Sequence, residues 1–247
     1  MLETRNLSKS FGAIHVTKNV SLKLERGERR VILGPNGAGK TTLFNQLVGE
    51  ITPDEGQVFL AGEDVTALSV QARARRGLSR SYQKNTLFDG LTVEENLGLA
   101  AAVVNGHWHN ILYDSLNRRD VQDTVREVAE QVRLMPYLHA RVSDVSYGVR
   151  RQLEVGVALA TRPLVLLMDE PTSGVGPEMA KGFHELLGDL PRDLTLLIIE
   201  HDMDLAFAVA DSITVLNYGE VVFDGSPEEA RGSSLLKDIY LGAWEDA

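Results

Sequence analysis

Residues 34–41 read Gly34-Pro35-Asn36-Gly37-Ala38-Gly39-Lys40-Thr41 and match the pattern G-x-x-x-x-G-K-[ST]. The preceding run from Arg30 to Leu33 predicts a short strand, and the stretch from Thr41 to Val48 predicts a helix that ends at Gly49. Glycines let the backbone N–H groups of such a loop turn inward, and the dipole of the following helix adds partial positive charge. The stretch therefore predicts a loop that binds phosphate groups.

Two side chains of this loop carry chemistry of their own. The lysine of such a loop, here Lys40, reaches the β- and γ-phosphates of a nucleotide. The hydroxyl that follows it, here on Thr41, ligates Mg²⁺. We therefore expect a nucleoside triphosphate and Mg²⁺ to bind here.

A second group of candidate residues follows an apolar run. Residues 164–168 are continuously apolar, as a strand buried on both faces requires, and Asp169 and Glu170 follow directly. Because ligands of parallel sheets bind at the carboxyl ends of the strands, we expect Asp169 to face Mg²⁺ and its waters. Glu170 is expected to orient or deprotonate the attacking water. Taken without the loop at 34–41, the two acids fit an ordinary strand end equally well.

The next apolar run, residues 194–199, ends in Glu200 and His201. A lone histidine is usually structural, but this one closes the strand that follows the Asp169-Glu170 strand. We therefore predict that His201 lies near the γ-phosphate.

Composition narrows the choice of function. The chain has 247 residues, 43% of them apolar, which is enough for a sizeable core. Its 25 basic and 35 acidic side chains give a formal net charge of −10, a poor match for nucleic acid, so no nucleic-acid partner is expected. The sequence contains no cysteine, which excludes disulfides and cysteine-based zinc sites. His107 and His109 lack a nearby carboxylate and are interpreted as part of a surface loop.

No segment of the sequence is expected to cross a membrane. The N-terminal residues carry charges where a signal peptide needs an apolar core. The longest uncharged apolar stretch, residues 97–104, is far below the ~20 residues that a bilayer requires. Any link to a membrane is therefore expected to run through another protein.

Local patterns predict the remaining elements. Residues 1–30 alternate loosely and predict short strands and turns, and residues 57–61 predict another strand. Residues 212–216 and 221–223, joined by Asn-Tyr-Gly-Glu, predict a hairpin. A short basic cluster precedes Gln83 and is interpreted as solvated or as a contact with a membrane protein; it consists of Arg73, Arg75 and Arg76.

The middle of the chain differs from both ends because its patterns are helical. Thr92 and Glu95 have the spacing of a capping box. A helix of period 3.6 is indicated by Val121, Val125, Val128 and Val132. We therefore predict a mostly helical lobe over residues 84–155.

In this order, the segments resemble the nucleotide-binding subunit of ABC transporters, and the likeness runs along essentially the whole chain. Phe11 is similar to the aromatic residue that stacks on adenine, and Arg80-Ser81-Tyr82-Gln83 resembles the segment whose glutamine touches Mg²⁺. Val145 to Val149 stand where the family has its Leu-Ser-Gly-Gly-Gln signature. Residues 171–177 resemble the loop after the catalytic glutamate, and His201 matches the switch histidine.

The resemblance implies a fold and a set of ligands. The fold is α/β, a P-loop NTPase (RecA-like) core with a largely parallel sheet, an N-terminal antiparallel β subdomain and an inserted helical subdomain. Residues 1–247 would form a single ABC ATPase domain, with the helical lobe at 84–155 carrying the signature at its end. Glu170 and His201 would be catalytic, and Thr41, Gln83 and Asp169 would hold Mg²⁺, Asp169 through water. The expected ATP contacts are Phe11, Gly34, Pro35, Asn36, Gly37, Ala38, Gly39, Lys40, Thr41 and Thr42.

The resemblance also implies partners. In the family, the signature binds the γ-phosphate of ATP held by a second subunit, a role that falls here on Ser146, Tyr147 and Gly148. Ser146 can cap a helix that begins near Val149; read without the family, Ser-Tyr-Gly is a plain helix cap. The expected partners are a second, homologous and non-identical ABC ATPase, transmembrane permease subunits and, indirectly, a substrate-binding protein. The chain would lie at the cytoplasmic face of the inner membrane.

Within the family, the chain resembles the ATPases of branched-chain amino acid importers. This likeness rests on the Ser-Tyr-Gly signature with residues 152–155 after it, and on residues 199–204, 215–220 and 239–242. Urea or amide importers and the lipopolysaccharide-export ATPase share some of these stretches. A soluble ABC ATPase of repair or translation fits less well, because the chain has neither a heptad-rich insertion nor a second cassette.

The sequence departs from the family at three positions. Val149 replaces the usual glutamine of the signature, and Tyr147 replaces its first glycine. Gly176 replaces the acid or amide usual in the loop after Glu170. These changes are expected to weaken what this chain lends to its partner's ATP site.

Overall fold

A computed structural model describes residues 1–81, 87–104, 116–173 and 176–240. The strands are β1 (Leu2–Phe11), β2 (Ile14–Leu24), β3 (Arg29–Leu33), β4 (Glu55–Leu60), β5 (Glu63–Asp64), β6 (Leu78–Arg80), β7 (Val165–Asp169), β8 (Thr195–Ile199), β9 (Ser212–Asn217) and β10 (Glu220–Gly225). The helices are α1 (Lys40–Val48), α2 (Val70–Ala74), α3 (Val93–Val104), α4 (Arg119–Gln131), α5 (Tyr147–Ala160), α6 (Pro177–Asp189), α7 (Met203–Val209), α8 (Pro227–Gly232) and α9 (Ser234–Ile239).

The chain divides into two compact units. The first unit is Met1–Arg73 with Thr195–Ala247, and the second is Ala74–Leu194. Each unit combines parallel strands with helices, which confirms the α/β class. Whether residues 84–155 form a lobe of their own stays a prediction.

The antiparallel sheet of the first unit has the strand order β2-β1-β4-β5. The prediction of short strands over residues 1–30 is wrong, because β1 and β2 are 10 and 11 residues long. Their pairing continues through several register shifts. Asn6 and Asn19 have φ values of 50° and 51°, in the left-handed region that asparagine tolerates. Such irregularities break the in–out alternation that reveals a long strand in a sequence.

The parallel strands of the first unit place the phosphate loop at the carboxyl ends of the strands. β3 lies between β8 and β9 and runs parallel to both, and all five of its residues are buried. β9 and β10 form the predicted hairpin, in which Asn217 pairs with Glu220. The loop at 34–39 therefore leaves the carboxyl end of a central strand and leads into α1.

The C-terminus of α1 is closed by Gly49 and Arg73. Gly49 ends the helix as predicted, with φ 87°. The guanidinium of Arg73 donates to the carbonyls of Gln46 (2.7 Å) and Leu47 (2.5 Å), which are among the last carbonyls of α1. It also donates to two carbonyls of the segment before α2. Arg73 is 1% exposed, so the interpretation of a solvated or docking side chain is wrong for this residue.

Burying the charged guanidinium of Arg73 costs free energy. Burial lowers the pKa of the guanidinium, and the charge of Asp64 acts in the other direction. The charge is offset by carbonyl dipoles, because a helix C-terminus carries partial negative charge. A side chain at position 49 would collide with this arrangement, since its Cβ would lie 2.9 Å from Nε of Arg73.

The second unit contains the predicted helical patterns. The capping box before α3 is confirmed: the Thr92 N–H donates to the Glu95 carboxylate (2.7 Å), and the Glu95 N–H to the Thr92 hydroxyl (3.1 Å). The valine pattern is also confirmed, because Val121, Val125 and Val128 are buried on α4. The helices α3, α4 and α5 pack against one another, and β6 pairs in parallel with β7.

Two sequence interpretations lie outside the described residues. They concern the histidines at positions 107 and 109 and the glutamine at position 83. Among the helices that the structure describes, none has the length and apolarity needed to cross a bilayer.

We predict that Arg73→Met lowers the free energy of unfolding by about 3 kcal/mol, because buried carbonyls lose a charged donor. Arg75→Met is the matched control, since Arg75 is exposed in the same cluster and should change stability by less than about 0.5 kcal/mol. Chemical denaturation of both variants measures the difference. Equal stability of the two variants would show that the carbonyl contacts contribute nothing.

Candidate functional site

The loop at 34–39 is shaped by close backbone contacts. Gly37 and Gly39 have φ values of 80° and 100°, where residues other than glycine are strained. A Cβ at Gly34 would collide with the carbonyl oxygen of Leu216, and a Cβ at Gly39 with that of Val16. The glycines at 34 and 39 are therefore required for packing as well as for conformation.

Lys40 folds back over the loop that it follows. Its ammonium donates to the carbonyl oxygens of Gly34 (2.6 Å) and Pro35 (3.1 Å), and the residue is only 6% exposed. Thr41 is exposed in the first turn of α1. The ammonium and the helix N-terminus thus lie at the same end of the loop, as a phosphate site requires.

The register of β3 and β8 brings His201 close to the start of this loop. Ile32 pairs with Ile199, and the N–H of Glu200 donates to the carbonyl of Ile32 (3.1 Å). Because the two strands are parallel, Gly34 and His201 leave the sheet at the same end. Within the first unit, the structure therefore places the predicted switch histidine beside the phosphate loop.

The turn that carries His201 is held by hydrogen bonds to a buried carboxylate. Glu200 is fully buried, and its carboxylate accepts the N–H groups of His201 (3.0 Å) and Asp202 (3.4 Å). Asp202 in turn caps α7 by accepting the N–H of Asp204 (2.8 Å). The backbone on both sides of His201 is fixed, while its imidazole remains exposed.

Phe11 ends β1 on the same unit. Its ring is half exposed, and the ammonium of Lys9 lies 5.7 Å from the ring centroid. An exposed aromatic face of this kind can stack on a base. The adenine contact itself stays a prediction.

Asp169 and Glu170 belong to the second unit. β7 ends at Asp169, as predicted, and Glu170 follows with φ 45°. A left-handed glutamate directly before a proline costs on the order of 1–3 kcal/mol, because both its own Cβ and Pro171 disfavour the conformation. The carbonyl of Glu170 accepts the N–H of Ser173 (3.0 Å), which closes a turn. Strain of this kind is typical of residues whose direction matters for function.

The signature residues form the start of α5. Ser146 caps the helix by accepting the N–H of Val149 (3.4 Å). The helix begins at Tyr147, two residues before the predicted start, so Tyr147 and Gly148 lie in its first turn. A helix of this length with an exposed N-terminus favours a bound anion.

Tyr147 is fixed by its own helix. The Nε of Arg151 donates to the Tyr147 hydroxyl (2.8 Å), and the Arg151 guanidinium lies 5.2 Å from the ring centroid. Arg151 also pairs with Glu154 at 2.8 Å, and burial raises the pKa of the Glu154 carboxyl despite that pair. The side chain that replaces the first signature glycine is thus held in one place with half its surface exposed.

The other two departures differ in exposure. Val149 is buried, with 7% of its surface exposed, whereas Gly176 is exposed at the N-terminus of α6. Gln83, predicted to hold Mg²⁺, lies outside the described residues.

The donor chemistry fits a magnesium nucleotide. Within the first unit, the hydroxyl of the exposed Thr41 is a hard oxygen ligand of the kind that Mg²⁺ prefers. The loop backbone and the Lys40 ammonium supply donors and positive charge for phosphate oxygens.

Comparison with known proteins agrees with this geometry. The family profile described as ABC transporter matches residues 17–173. The chain belongs to this family. It is 35% identical to the high-affinity branched-chain amino acid transport ATP-binding protein LivG of Salmonella typhimurium (strain LT2), with 98% of each chain covered. It is 33% identical to the corresponding protein BraF of Pseudomonas aeruginosa, again with 98% of both covered.

Solved structures of the family show the same fold. An ATP-binding cassette of an ABC transporter in its ADP conformation has a TM-score of 0.83 and 29% identity, with 98% of both chains covered. A nucleotide-free cassette has a TM-score of 0.82 and 27% identity, with 98% of this chain and 99% of that one covered. The P-loop NTPase core is thereby confirmed, and the chain is an ATP-binding ATPase of the ABC family.

Sequence reasoning missed the residues that hold the loop in place. They contact it through backbone atoms and include Val16, Leu216 and Gly219, while Arg73 holds the other end of α1. The Tyr-Gly turn was the available signal for Gly219, but it indicated only a hairpin.

Proposed function

We propose that the chain is the ATP-hydrolysing subunit of an importer of branched-chain or related amino acids and acts on a separate permease. The observation that carries this proposal is the match to LivG and BraF over 98% of the chain. The phosphate loop, with His201 at its edge, supports the nucleotide half of the proposal. The chain would work at the cytoplasmic face of the inner membrane.

Each predicted site residue has a role in this proposal. Lys40 and the loop N–H groups hold the β- and γ-phosphates, Phe11 stacks on adenine, and Thr41 and Asp169 hold Mg²⁺. Bound Mg²⁺ neutralises charge that develops on the phosphate oxygens.

Two residues would act on the attacking water and the γ-phosphate. Glu170 orients the water and accepts its proton, and its left-handed backbone supports a directed carboxylate. His201 contacts the γ-phosphate from its fixed turn.

The proposed partner ATPase would contact the second unit. The exposed N-terminus of α5, with Ser146, Tyr147 and Gly148, would cover ATP held by a second and non-identical ABC ATPase. Closing and opening of that pair would drive the permease, which receives its cargo from a substrate-binding protein.

We predict that Glu170→Gln retains MgATP binding but lowers hydrolysis about 100-fold or more, the scale of a lost general base. His201→Ala should likewise bind ATP and lose turnover. Calorimetry and single-turnover hydrolysis separate the two steps. Retained turnover in the Glu170 variant would assign the water to another residue.

We predict that cells lacking the chain lose high-affinity uptake of labelled leucine, isoleucine or valine, and that the wild-type chain restores it. Lys40→Ala is the negative control and should not restore uptake, because it removes from the loop the positive charge that holds the phosphates. Restored uptake of urea without that of leucine would assign the chain to the alternative importers.

We predict that the purified chain hydrolyses ATP slowly and that a complex with the second ATPase and the permease is faster. A pair of identical chains would place the altered signature over both nucleotides. Within the complex, mutation of Lys40 should reduce turnover more than mutation of the partner's loop lysine. Equal damage from the two mutations would reject an unequal pair and leave the ATPase intact.

A further inference from the structure

The turn between β9 and β10 contacts the phosphate loop through its backbone. The N–H of Gly219 donates to the carbonyl of Ala38 (3.0 Å), inside the loop. The carbonyl of Gly219 accepts the N–H of Lys18 (2.8 Å), on β2. One residue of the turn therefore bridges the phosphate loop and the antiparallel sheet that carries Phe11.

Gly39 and Gly219 approach the backbone of Val16 so closely that neither position has room for a side chain. A Cβ at Gly219 would lie 2.5 Å from the carbonyl oxygen of Val16, the oxygen that a Cβ at Gly39 would also strike. Gly219 is buried, although the neighbouring Tyr218 is 78% exposed. The Val16 carbonyl thus packs against glycines of both the loop and the turn.

We infer that Gly219 is a positioning residue for nucleotide binding: it fixes the phosphate loop against β2 and the β1–β2 hairpin. The N–H groups of such a loop must be aimed at phosphate oxygens, and a displacement of about 1 Å at a distant support can cost 100-fold in function. The inference rests on the proposed nucleotide site at residues 34–42.

The chain contains a matched control for the backbone strain. Ala61-Gly62 form the two-residue turn of the β4–β5 hairpin, with φ values of 50° and 86°. Tyr218-Gly219 have φ values of 50° and 84°. A Cβ at Gly62, however, would meet no atom within 4 Å. Alanine at position 62 therefore introduces the same strained turn without the contact.

The experiment compares Gly219→Ala with Gly62→Ala in the full chain, using calorimetry with MgADP to avoid turnover, together with thermal unfolding. Both variants should lose stability, since alanine is strained at positive φ. Only Gly219→Ala should weaken MgADP binding, by about tenfold or more. Equal affinity of the two variants would overturn the inference.

Two further arms keep the result interpretable. If Gly219→Ala does not fold, Gly219→Asn and Gly62→Asn replace the pair, because asparagine tolerates positive φ but retains the Cβ. Lys40→Ala reports on the site itself. Unchanged MgADP binding in Lys40→Ala would overturn the proposed site and the inference with it. Weak binding there, with equal affinity in the two glycine variants, would overturn only the role of Gly219.

Discussion

The close approach of backbone to backbone around the phosphate loop is the constraint on which the site depends. The loop must offer its N–H groups to a ligand, and three of its six residues are glycines, which have no side chain to anchor it. Main-chain atoms of β2 and of the β9–β10 hairpin hold it instead, through Val16, Leu216 and Gly219. Helix α1 is fixed at its far end by Arg73, whose charge meets the carbonyl end of the helix dipole. A helix held at both ends can keep its N-terminal amides directed at a bound phosphate.

The second unit meets the same requirement by different means. Glu170 is directed by a strained left-handed backbone, and the signature by a serine cap on α5. Tyr147 is held by Arg151 four residues further along the helix, as side chains one helical turn apart can be. Each functional group therefore sits at an element end whose direction is set by local bonds.

Strands, helices and caps were predictable from the sequence wherever the pattern lies within a single element. The strand and helix around residues 34–41, the capping box at Thr92 and the valines of α4 are all such cases. The length of β1 and β2 was not predictable, because left-handed asparagines interrupt the alternation. The burial of Arg73 was not predictable, because its partners are backbone carbonyls, two of them 26 and 27 residues away, which leave no periodic pattern in the sequence. Gly219 was read only as a turn residue for the same reason.

The departures from the family pattern lie in the signature and in the loop after Glu170, and not in the chain's own phosphate loop. Tyr147 and Gly176 are exposed at the N-termini of α5 and α6, where helices offer unpaired amides. Val149, by contrast with these two, is buried. Lys40 keeps the lysine of the family pattern, and its ammonium donates to the carbonyls of Gly34 and Pro35. In the proposed unequal pair, the altered and exposed helix ends at Tyr147 and Gly176 would face only the partner's nucleotide, whereas in an identical pair both nucleotides would meet the altered surface.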